Sequence, residues 1–211
     1  MSKRVSGLYA VTPESADSAA LFRKVDAALR GGALVVQYRS KSTDDSVRHE
    51  QAAQIARLCR SSDALFIVND SVELARAVGA DGVHLGKDDP NVAAARAVLG
   101  QGKVIGVSCY DDMARARAAQ TQGADYVAFG SFFPSATKPV ARRAGLDLLH
   151  AAASEISLPI VAIGGINMDN AAGLIAAGAD AIAVVSALFD APDVEAQARR
   201  FARLFSVPVN S

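Results

Sequence analysis

The sequence has few cysteines, no excess of charge and no apolar N-terminal stretch, and each absence excludes a class of protein. The two cysteines, Cys59 and Cys109, are too few to build a disulfide framework or a zinc site. The 22 basic residues are balanced by 22 acidic ones, which leaves no basic footprint for nucleic acid. The first residues lack the apolar segment that a signal peptide requires. Together with the sparse cysteine, this predicts a cytoplasmic protein.

One apolar stretch, residues 171–189, is long enough to resemble a membrane span. Asp180 stands in its middle, where a carboxylate costs about 3 kcal/mol on insertion scales. Gly178 is typical of the end of a helix. We therefore predict a buried helix followed by a buried strand, and no membrane partner.

The chain instead repeats one succession, a short apolar run followed by an amphipathic stretch. Eight of each can be counted between residues 7 and 204, and Gly-Ala-Asp precedes three of the apolar runs, at residues 79–81, 123–125 and 178–180. Glycine can end a helix in the left-handed conformation, and the aspartate can bond amides where the next strand begins. Strands that are apolar on both faces are typical of a parallel sheet covered by helices. The 211 residues therefore predict one α/β domain, a compact (β/α)8 TIM barrel over residues 1–211, with a doubly wound open sheet as the lesser alternative.

The segment Gln37-Tyr38-Arg39-Ser40-Lys41 follows the apolar run 33–36. Because side chains alternate along a strand, Gln37, Arg39 and Lys41 are expected on one face and Tyr38 and Ser40 on the other. Arginine grips phosphate oxygens bidentately and lysine adds a mobile charge, so this face suits a phosphorylated group. A solvated strand edge is the alternative for this segment taken alone.

In a TIM barrel the active site is built at the C-terminal ends of the strands, so polar residues there should converge. Three cations with two carboxylates nearby suit a diphosphate bridged to Mg²⁺. Glycines after the seventh strand and the segment after the eighth suit a monophosphate held by backbone N–H groups. These positions together predict two phosphorylated small-molecule substrates. The cations are Arg39, Lys41 and Lys138, the carboxylates Asp70 and Asp89, and the monophosphate segments Gly164-Gly165 and Val185-Ser186.

His84 lies inside an apolar run. We interpret it as a hydrogen-bonded residue of the barrel rather than as a proton carrier.

These motifs, in order and at compatible spacing from about residue 7 to 189, resemble the thiamine-phosphate synthase family. The segments that carry the resemblance are Gln37 through Lys41, Asn69-Asp70, Gly82-Val83-His84-Leu85-Gly86 with Asp88-Asp89, Gly106-Val107-Ser108, Gly130 through Lys138, Ala162-Ile163-Gly164-Gly165-Ile166 and Ala183-Val184-Val185-Ser186. The resemblance implies a Mg²⁺-dependent (β/α)8 barrel that joins 4-amino-2-methyl-5-(diphosphooxymethyl)pyrimidine to a thiazole phosphate and releases pyrophosphate. It also implies a dissociative substitution, in which the bond to the diphosphate breaks early.

The resemblance assigns a role to each matching position. It implies that the pyrimidine diphosphate is bound by Gln37, Tyr38, Arg39, Ser40, Lys41, Asn69, Ser108 and Lys138, with Arg39, Lys41 and Lys138 as the catalytic cations. It places the thiazole phosphate on Ser135, Ala136, Thr137, Gly165, Val185 and Ser186, and the metal on Asp70 and Asp89. The family often has Thr where this chain has Ser135, and the hydroxyl is kept.

Two other functions stay open at this point. A barrel isomerase acting on the thiazole phosphate alone would need only the monophosphate subsite, and a binding module without activity would need no catalytic cations. The full set of charged residues favours the transferase. The sequence leaves the oligomeric state open, and a homo-oligomer is compatible with it.

Overall fold

The computed structural model describes residues 4–134 and 144–206 of the chain. Its strands close into a parallel barrel in which each strand pairs with the next along the chain, and the first pairs with the last. The strands are β1 Gly7–Val11, β2 Val35–Tyr38, β3 Leu65–Asn69, β4 Gly82–Leu85, β5 Val104–Tyr110, β6 Tyr126–Phe129, β7 Ile160–Ile163 and β8 Ala181–Val184. The predicted (β/α)8 barrel is confirmed, and closure of the sheet excludes the open doubly wound alternative.

Helices follow the strands. They are α1 Ser18–Arg30, α2 Asp45–Ser61, α3 Val72–Ala77, α4 Val92–Leu99, α5 Met113–Thr121, α6 Leu146–Glu155, α7 Ala171–Ala176, α8 Ser186–Phe189 and α9 Val194–Arg203. The sequence predicted eight helices; within residues 4–134 and 144–206 the structure has nine, because the one-turn helix α8 precedes α9. Four residues are too few for a recognisable apolar period, which explains why the sequence did not predict α8.

Six of the nine described helices begin where a polar side chain accepts a backbone N–H of the first turn, whereas α6, α7 and α8 have no such cap. Asp17, Ser71 and Asn91 each cap a helix in this way, for α1, α3 and α4 respectively. Such a cap is worth about 1 kcal/mol and fixes where each helix starts relative to the strand before it. Local sequence therefore favours the starting points of these six helices before any packing is considered.

Two apolar cores result from the alternation of side chains along the strands. Residues such as Leu8, Val36 and Ile105 point outward and pack against the helices. A smaller core fills the inside of the barrel and includes Tyr9 and Tyr126. Residues 171–189 form α7, β8 and α8, which confirms the predicted helix followed by a strand. Among the residues that the structure describes, no helix has the length and apolar character needed to cross a bilayer.

The three Gly-Ala-Asp segments close the N-terminal end of the barrel in the same way. Each aspartate donates its backbone N–H to the carbonyl of a residue on the preceding strand, and its carboxylate accepts the N–H of that same residue. The glycines before them, Gly79, Gly123 and Gly178, all have positive φ, as predicted for helix ends. We call these reciprocal pairs the N-terminal brackets: Asp81 with Phe66, Asp125 with Ile105, and Asp180 with Ile160.

Candidate active site

A cavity of about 640 Å³ opens at the C-terminal ends of the strands. Its size is in the ordinary range for small-molecule sites. One side is lined by polar side chains from β2 to β5, and the other by small or apolar residues from β6 to β8. The polar lining includes Gln37, Arg39, Asn69, His84 and Ser108; the opposite side includes Ala128, Gly165, Ala183, Val185 and Ser186.

The cationic end of the cavity is held by residues of the loop that follows β1. The Thr12 hydroxyl accepts the backbone N–H of Arg39 at 3.0 Å and donates to its carbonyl at 3.3 Å. The carboxylate of Glu14 accepts the backbone N–H of Lys41 and lies 3.5 Å from the Arg39 guanidinium. Thr12 and Glu14 therefore fix the backbone that carries the two cations. Neither residue was predicted from the sequence, although their position directly after β1 marks them as residues of the same barrel end.

Asp70 and Asp89 lie beside each other near Arg39. Burial and the neighbouring Asp89 carboxylate raise the pKa of Asp70 from 3.8 to about 6. Asp70 also has a φ of 63°, a left-handed conformation that aspartate tolerates better than most residues. The Oδ2 atom of Asp89 accepts the N–H of Gly86 at 2.6 Å, which orients its carboxylate. The pair thus brings two carboxylates together, and burial with the neighbouring Asp89 disfavours the negative charge of Asp70.

A continuous series of hydrogen bonds crosses the inside of the barrel beneath the cavity. It runs from Gln37 through the hydroxyls of Tyr9 and Tyr126 to His84 and Ser108. Both ring nitrogens of His84 are bonded, and burial lowers the pKa of His84 to about 4, so the ring is neutral at physiological pH. This agrees with the interpretation of His84 as a hydrogen-bonded barrel residue.

Neither Tyr9 nor Tyr126 was predicted from the sequence. Gly106, the partner of Tyr126 in the β5 and β6 register, was the available signal. A Cβ atom at Gly106 would lie 1.9 Å from Cζ of Tyr126, so only glycine leaves room for that ring. A glycine inside a strand often marks such a close approach.

Arg115 of α5 ties the ends of two neighbouring strands together. Its Nε donates to the carbonyl of Ser108 at 2.6 Å and its Nη2 to the carbonyl of Gly86 at 2.8 Å. Tyr110 lies under the same guanidinium at 5.9 Å. Arg115 therefore holds the end of β5 to the loop that carries Asp89. It lies on a helix, where an arginine is usually solvated, and so carried no signal in the sequence.

Gly164 and Gly165 follow β7 with φ values of 105° and 64°. A Cβ atom at Gly164 would lie 2.1 Å from the Ser131 hydroxyl oxygen, and one at Gly165 would lie 2.4 Å from the Pro134 carbonyl oxygen. The prediction explained these glycines by close approach to a phosphate. The structure adds a packing reason, because the segment after β6 lies directly against them.

The predicted site residues fall into three groups. Seven line the cavity: Gln37, Arg39, Asn69, Ser108, Gly165, Val185 and Ser186. The Tyr38 hydroxyl donates to Gln51 of α2 at 2.9 Å, and the lining of the cavity does not include Tyr38, Ser40, Lys41, Asp70 or Asp89, all of which lie at or beyond the ends of strands. Ser135, Ala136, Thr137 and Lys138 lie outside the described residues.

This arrangement defines the class of protein. A (β/α)8 barrel whose strand ends line one cavity with an arginine and a polar wall, with two paired carboxylates close to that arginine, is an enzyme architecture suited to phosphorylated small molecules. It does not by itself distinguish among the many reactions that such barrels catalyse.

Comparison with known proteins supplies the distinction. The family model for thiamine monophosphate synthase matches residues 8–188. The chain is 57% identical over 205 residues to the thiamine-phosphate synthase of Chromobacterium violaceum, covering 97% of this chain and 99% of that protein. It is 56% identical over 200 residues to that of Thiobacillus denitrificans, covering 95% of each chain. Among solved structures, thiamine phosphate pyrophosphorylase from Pyrococcus furiosus superposes with a TM-score of 0.86 at 36% identity, over 95% of each chain.

The chain belongs to the thiamine monophosphate synthase family. It is therefore a transferase of the thiamine-phosphate synthase type, and the resemblance first drawn from its motifs is confirmed.

Proposed function

We propose that the protein joins 4-amino-2-methyl-5-(diphosphooxymethyl)pyrimidine to a thiazole phosphate in this cavity and releases pyrophosphate. The observation that carries this proposal is the division of one cavity into a polar wall with Arg39 and an opposite wall with Gly165 and Ser186. A single phosphorylated substrate would need only one of these walls. The isomerase and binding-module alternatives leave the cationic wall without a purpose.

The pyrimidine diphosphate occupies the polar wall. Gln37, Asn69 and Ser108 supply hydrogen bonds, and Arg39 meets the diphosphate at the rim. The further contacts we assign from the family pattern are Tyr38, Ser40 and Lys41 at the end of β2, and Lys138. Since the Tyr38 ring is bonded to Gln51, Tyr38 contributes to this site through its backbone.

Mg²⁺ is the metal that this site would hold, on Asp70 and Asp89. The two carboxylates are adjacent, and the pKa of Asp70 is raised to about 6. A hard cation bound between them would offset their negative charges. Mg²⁺ is usually held by one or two carboxylates plus substrate phosphates, which fits a pair of this kind. When bound, the ion would offset negative charge on the diphosphate.

The chemistry is a dissociative substitution. The C–O bond to the diphosphate breaks, its electron pair leaves with the diphosphate, and a pyrimidine-stabilised cation remains for the thiazole nitrogen to attack. Arg39, Lys41 and Lys138 stabilise the charge that grows on the leaving group. No step needs a paired nucleophile and base, which agrees with a neutral, fully bonded His84.

The thiazole phosphate occupies the opposite wall. Gly165 and Val185-Ser186 would bind its phosphate through backbone N–H groups, with Ser135, Ala136 and Thr137 from the neighbouring segment. This places the thiazole nitrogen across the cavity from the pyrimidine, so binding of both substrates supplies the proximity that the attack requires.

Release of pyrophosphate by the purified protein tests the proposal. We expect release only when both substrates and Mg²⁺ are present. Release from the pyrimidine diphosphate alone at the same rate, or turnover unaffected by chelation of Mg²⁺, would contradict the two-substrate or the metal assignment respectively. Isomerisation of the thiazole phosphate without pyrophosphate release would favour the alternative function. We further propose a cytoplasmic location and no binding to nucleic acid, and the sequence is compatible with a homo-oligomer.

A further inference from the structure

The series of hydrogen bonds across the barrel, here called the barrel chain, consists of Gln37, Tyr9, Tyr126, His84 and Ser108. Gln37 Nε2 donates to Tyr9 Oη at 2.8 Å, and Tyr9 Oη lies 2.9 Å from Tyr126 Oη. Tyr126 Oη lies 2.9 Å from Nδ1 of His84, and His84 Nε2 lies 2.8 Å from Ser108 Oγ. Its two ends belong to the proposed pyrimidine diphosphate subsite, whereas its three middle residues have no assigned role.

The three middle members of the chain are neutral and buried. Tyr9 is 1% exposed and Tyr126 is 0% exposed, and burial raises the pKa of both phenols. The buried His84 ring has hydroxyl partners on both nitrogens, and a neutral ring donates from one nitrogen and accepts at the other. Each hydrogen bond between neighbouring members therefore contains one proton. If every member donates to the next, all the hydrogen bonds of the chain point the same way, so only two directions of donation are possible. We call these directions the two senses of the chain.

In the first sense, protons are donated from Gln37 toward Ser108. The Gln37 amide donates to Tyr9, the two phenols donate in turn, and His84 carries its proton on Nε2. Ser108 then accepts from His84 and has its own O–H left to donate into the cavity. Gln37, whose Nε2 is used by Tyr9, presents its carbonyl oxygen to the cavity.

In the second sense, Ser108 donates into the chain and His84 carries its proton on Nδ1. Tyr9 then donates to Gln37, whose amide must rotate so that its NH₂ group faces the cavity. The structure has Nε2 of Gln37 on Tyr9, which matches the first sense. A mixed arrangement would leave a buried phenol without an acceptor, at a cost of about 1–3 kcal/mol.

We propose that Tyr9, Tyr126 and His84 are positioning residues that fix this first sense, so that Gln37 offers an acceptor and Ser108 offers a donor. The proposal rests on the proposed function, because that substrate has a donor at one end, the 4-amino group, and an acceptor at the other, the diphosphate. In the first sense the Gln37 carbonyl accepts from the 4-amino group and the Ser108 hydroxyl donates to the diphosphate, whereas in the second sense Ser108 has no O–H left for the diphosphate. The barrel chain thereby selects an aminopyrimidine over a pyrimidine with a carbonyl at that position.

The packing around Tyr126 supports a dedicated place for its hydroxyl. His84, Gly106 and Tyr126 are partners in register on three adjacent strands. Because Gly106 has no side chain, the ring and hydroxyl of Tyr126 can fill the space next to it. A Cβ atom at Gly106 would lie 2.4 Å from Tyr126 Oη. Tyr9 meets the ring edge-on from across the barrel, with centroids 6.1 Å apart.

The kinetic test compares the 4-amino substrate with its 4-oxo analogue in the full-length protein with Mg²⁺. Tyr126→Phe keeps the ring but removes the hydroxyl that accepts from Tyr9. The Tyr9 hydroxyl can then donate only to Gln37, whose amide must rotate to bring its carbonyl oxygen to Tyr9. We expect Tyr126→Phe and Tyr9→Phe to lower the ratio of kcat/KM values for the two substrates by about tenfold or more. Asp81→Ala, which loses one N-terminal bracket at the far end of the barrel, should leave the ratio unchanged.

The Gln37→Leu variant separates failure of this inference from failure of the proposed function. A ratio that falls in Gln37→Leu but stays at the wild-type value in Tyr126→Phe overturns the inference alone. A ratio unchanged in Gln37→Leu overturns the contact between Gln37 and the pyrimidine, and with it that part of the proposed function.

A spectroscopic measurement keeps the inference falsifiable where a variant fails to fold. In a His49→Gln, His150→Gln background, ¹⁵N NMR of the imidazole reports on His84 alone, because the chain has three histidines. We expect the tautomer protonated on Nε2, and its loss in Tyr126→Phe. A signal from the tautomer protonated on Nδ1 overturns the inference.

Discussion

The Glu14 carboxylate forms an ion pair with the Arg39 guanidinium, with Oε1 lying 3.5 Å from Nη1. The same carboxylate accepts the backbone N–H of Lys41 at 2.9 and 3.0 Å. Glu14 thus anchors the end of β2 through Lys41 and also competes with any anion for Arg39. The two effects can be separated by substitution, since a glutamine keeps an acceptor for the amide but has no charge.

We expect Glu14→Gln to bind inorganic pyrophosphate about two- to fivefold more tightly than the wild type. In the wild type an anion must displace the Glu14 carboxylate from Arg39 and break an exposed ion pair, which is worth at most about 1 kcal/mol. The variant has no such ion pair to break, which accounts for the expected gain in affinity. Isothermal titration calorimetry with pyrophosphate and Mg²⁺ measures the change. Glu50→Gln, an exposed substitution on α2, is the control for net charge. Equal affinities in Glu14→Gln and the wild type would show that Glu14 does not compete for Arg39.

Arg39→Ala and Lys138→Ala should lower turnover far more than stability. A cation that acts on the leaving group contributes mainly in the transition state, and the loss of one such group costs about 10²- to 10³-fold in kcat. Steady-state release of pyrophosphate, alongside urea denaturation, measures both quantities. Arg39→Lys keeps the charge but loses the bidentate fork, so its turnover should lie between those of Arg39→Ala and the wild type. Near-normal turnover in either alanine variant would remove that residue from the catalytic set.

Asp70→Asn should stabilise the metal-free protein and abolish its activity. The pKa of Asp70 rises from 3.8 to about 6 on folding, so between these values the folded protein binds more protons than the unfolded chain. The stability of the wild type therefore falls as the pH rises through that interval, and the full cost is present above pH 6. Asparagine has no charge to repel Asp89 and adopts the left-handed conformation readily.

The gain in Tm for Asp70→Asn should consequently be largest above pH 6 and vanish below pH 4. Thermal unfolding from pH 4 to pH 8 in a chelating buffer checks this, with Asp88→Asn as the matched control. Added Mg²⁺ should raise the Tm of the wild type but not of Asp70→Asn, because a ligand stabilises only the state that binds it. A Tm difference between Asp70→Asn and the wild type that does not change with pH would contradict the charge-repulsion argument.

The sequence predicted the barrel well because its information is local and repeated. Gly79, Gly123 and Gly178 mark helix ends through their left-handed conformation, and the strand that contains Val35 and Val36 is apolar on both faces. Alternation along β2 also predicted which side chains would face the cavity. Gln37 and Arg39 line it, whereas Tyr38 packs outward against α2.

The residues that were not predicted from the sequence act through contacts between different elements of the barrel. Tyr9 and Tyr126 are 117 positions apart and meet only because the sheet closes. Arg115 reaches Ser108 and Gly86 from a helix whose pattern gives no sign of it. Such pairings depend on strand register and on the size of neighbouring side chains, which periodicity does not encode. The family pattern assigned binding roles to the ends of the barrel chain, Gln37 and Ser108, but to none of its three middle residues.

The N-terminal brackets should contribute to stability without affecting catalysis, because they lie at the opposite end of the barrel from the cavity. Asp81 offers the cleanest test, since its carboxylate accepts the N–H of Phe66 at 2.8 Å. Asp125 and Asp180 also form ion pairs, with Arg96 and Arg4. Asp81→Ala leaves the Phe66 amide without its acceptor, which costs about 1–3 kcal/mol.

Urea denaturation of Asp81→Ala should therefore show a lower midpoint with an unchanged slope, while kcat and both KM values stay at those of the wild type. Asp81→Asn keeps an acceptor oxygen and should lose less, because only the charge assistance of the bond is removed. Arg4→Ala breaks an exposed ion pair at the same end of the barrel and should change the free energy of unfolding by less than about 1 kcal/mol. A fall in kcat for Asp81→Ala would mean that the two ends of the barrel are coupled, and its use as a control for Tyr126→Phe would then be lost.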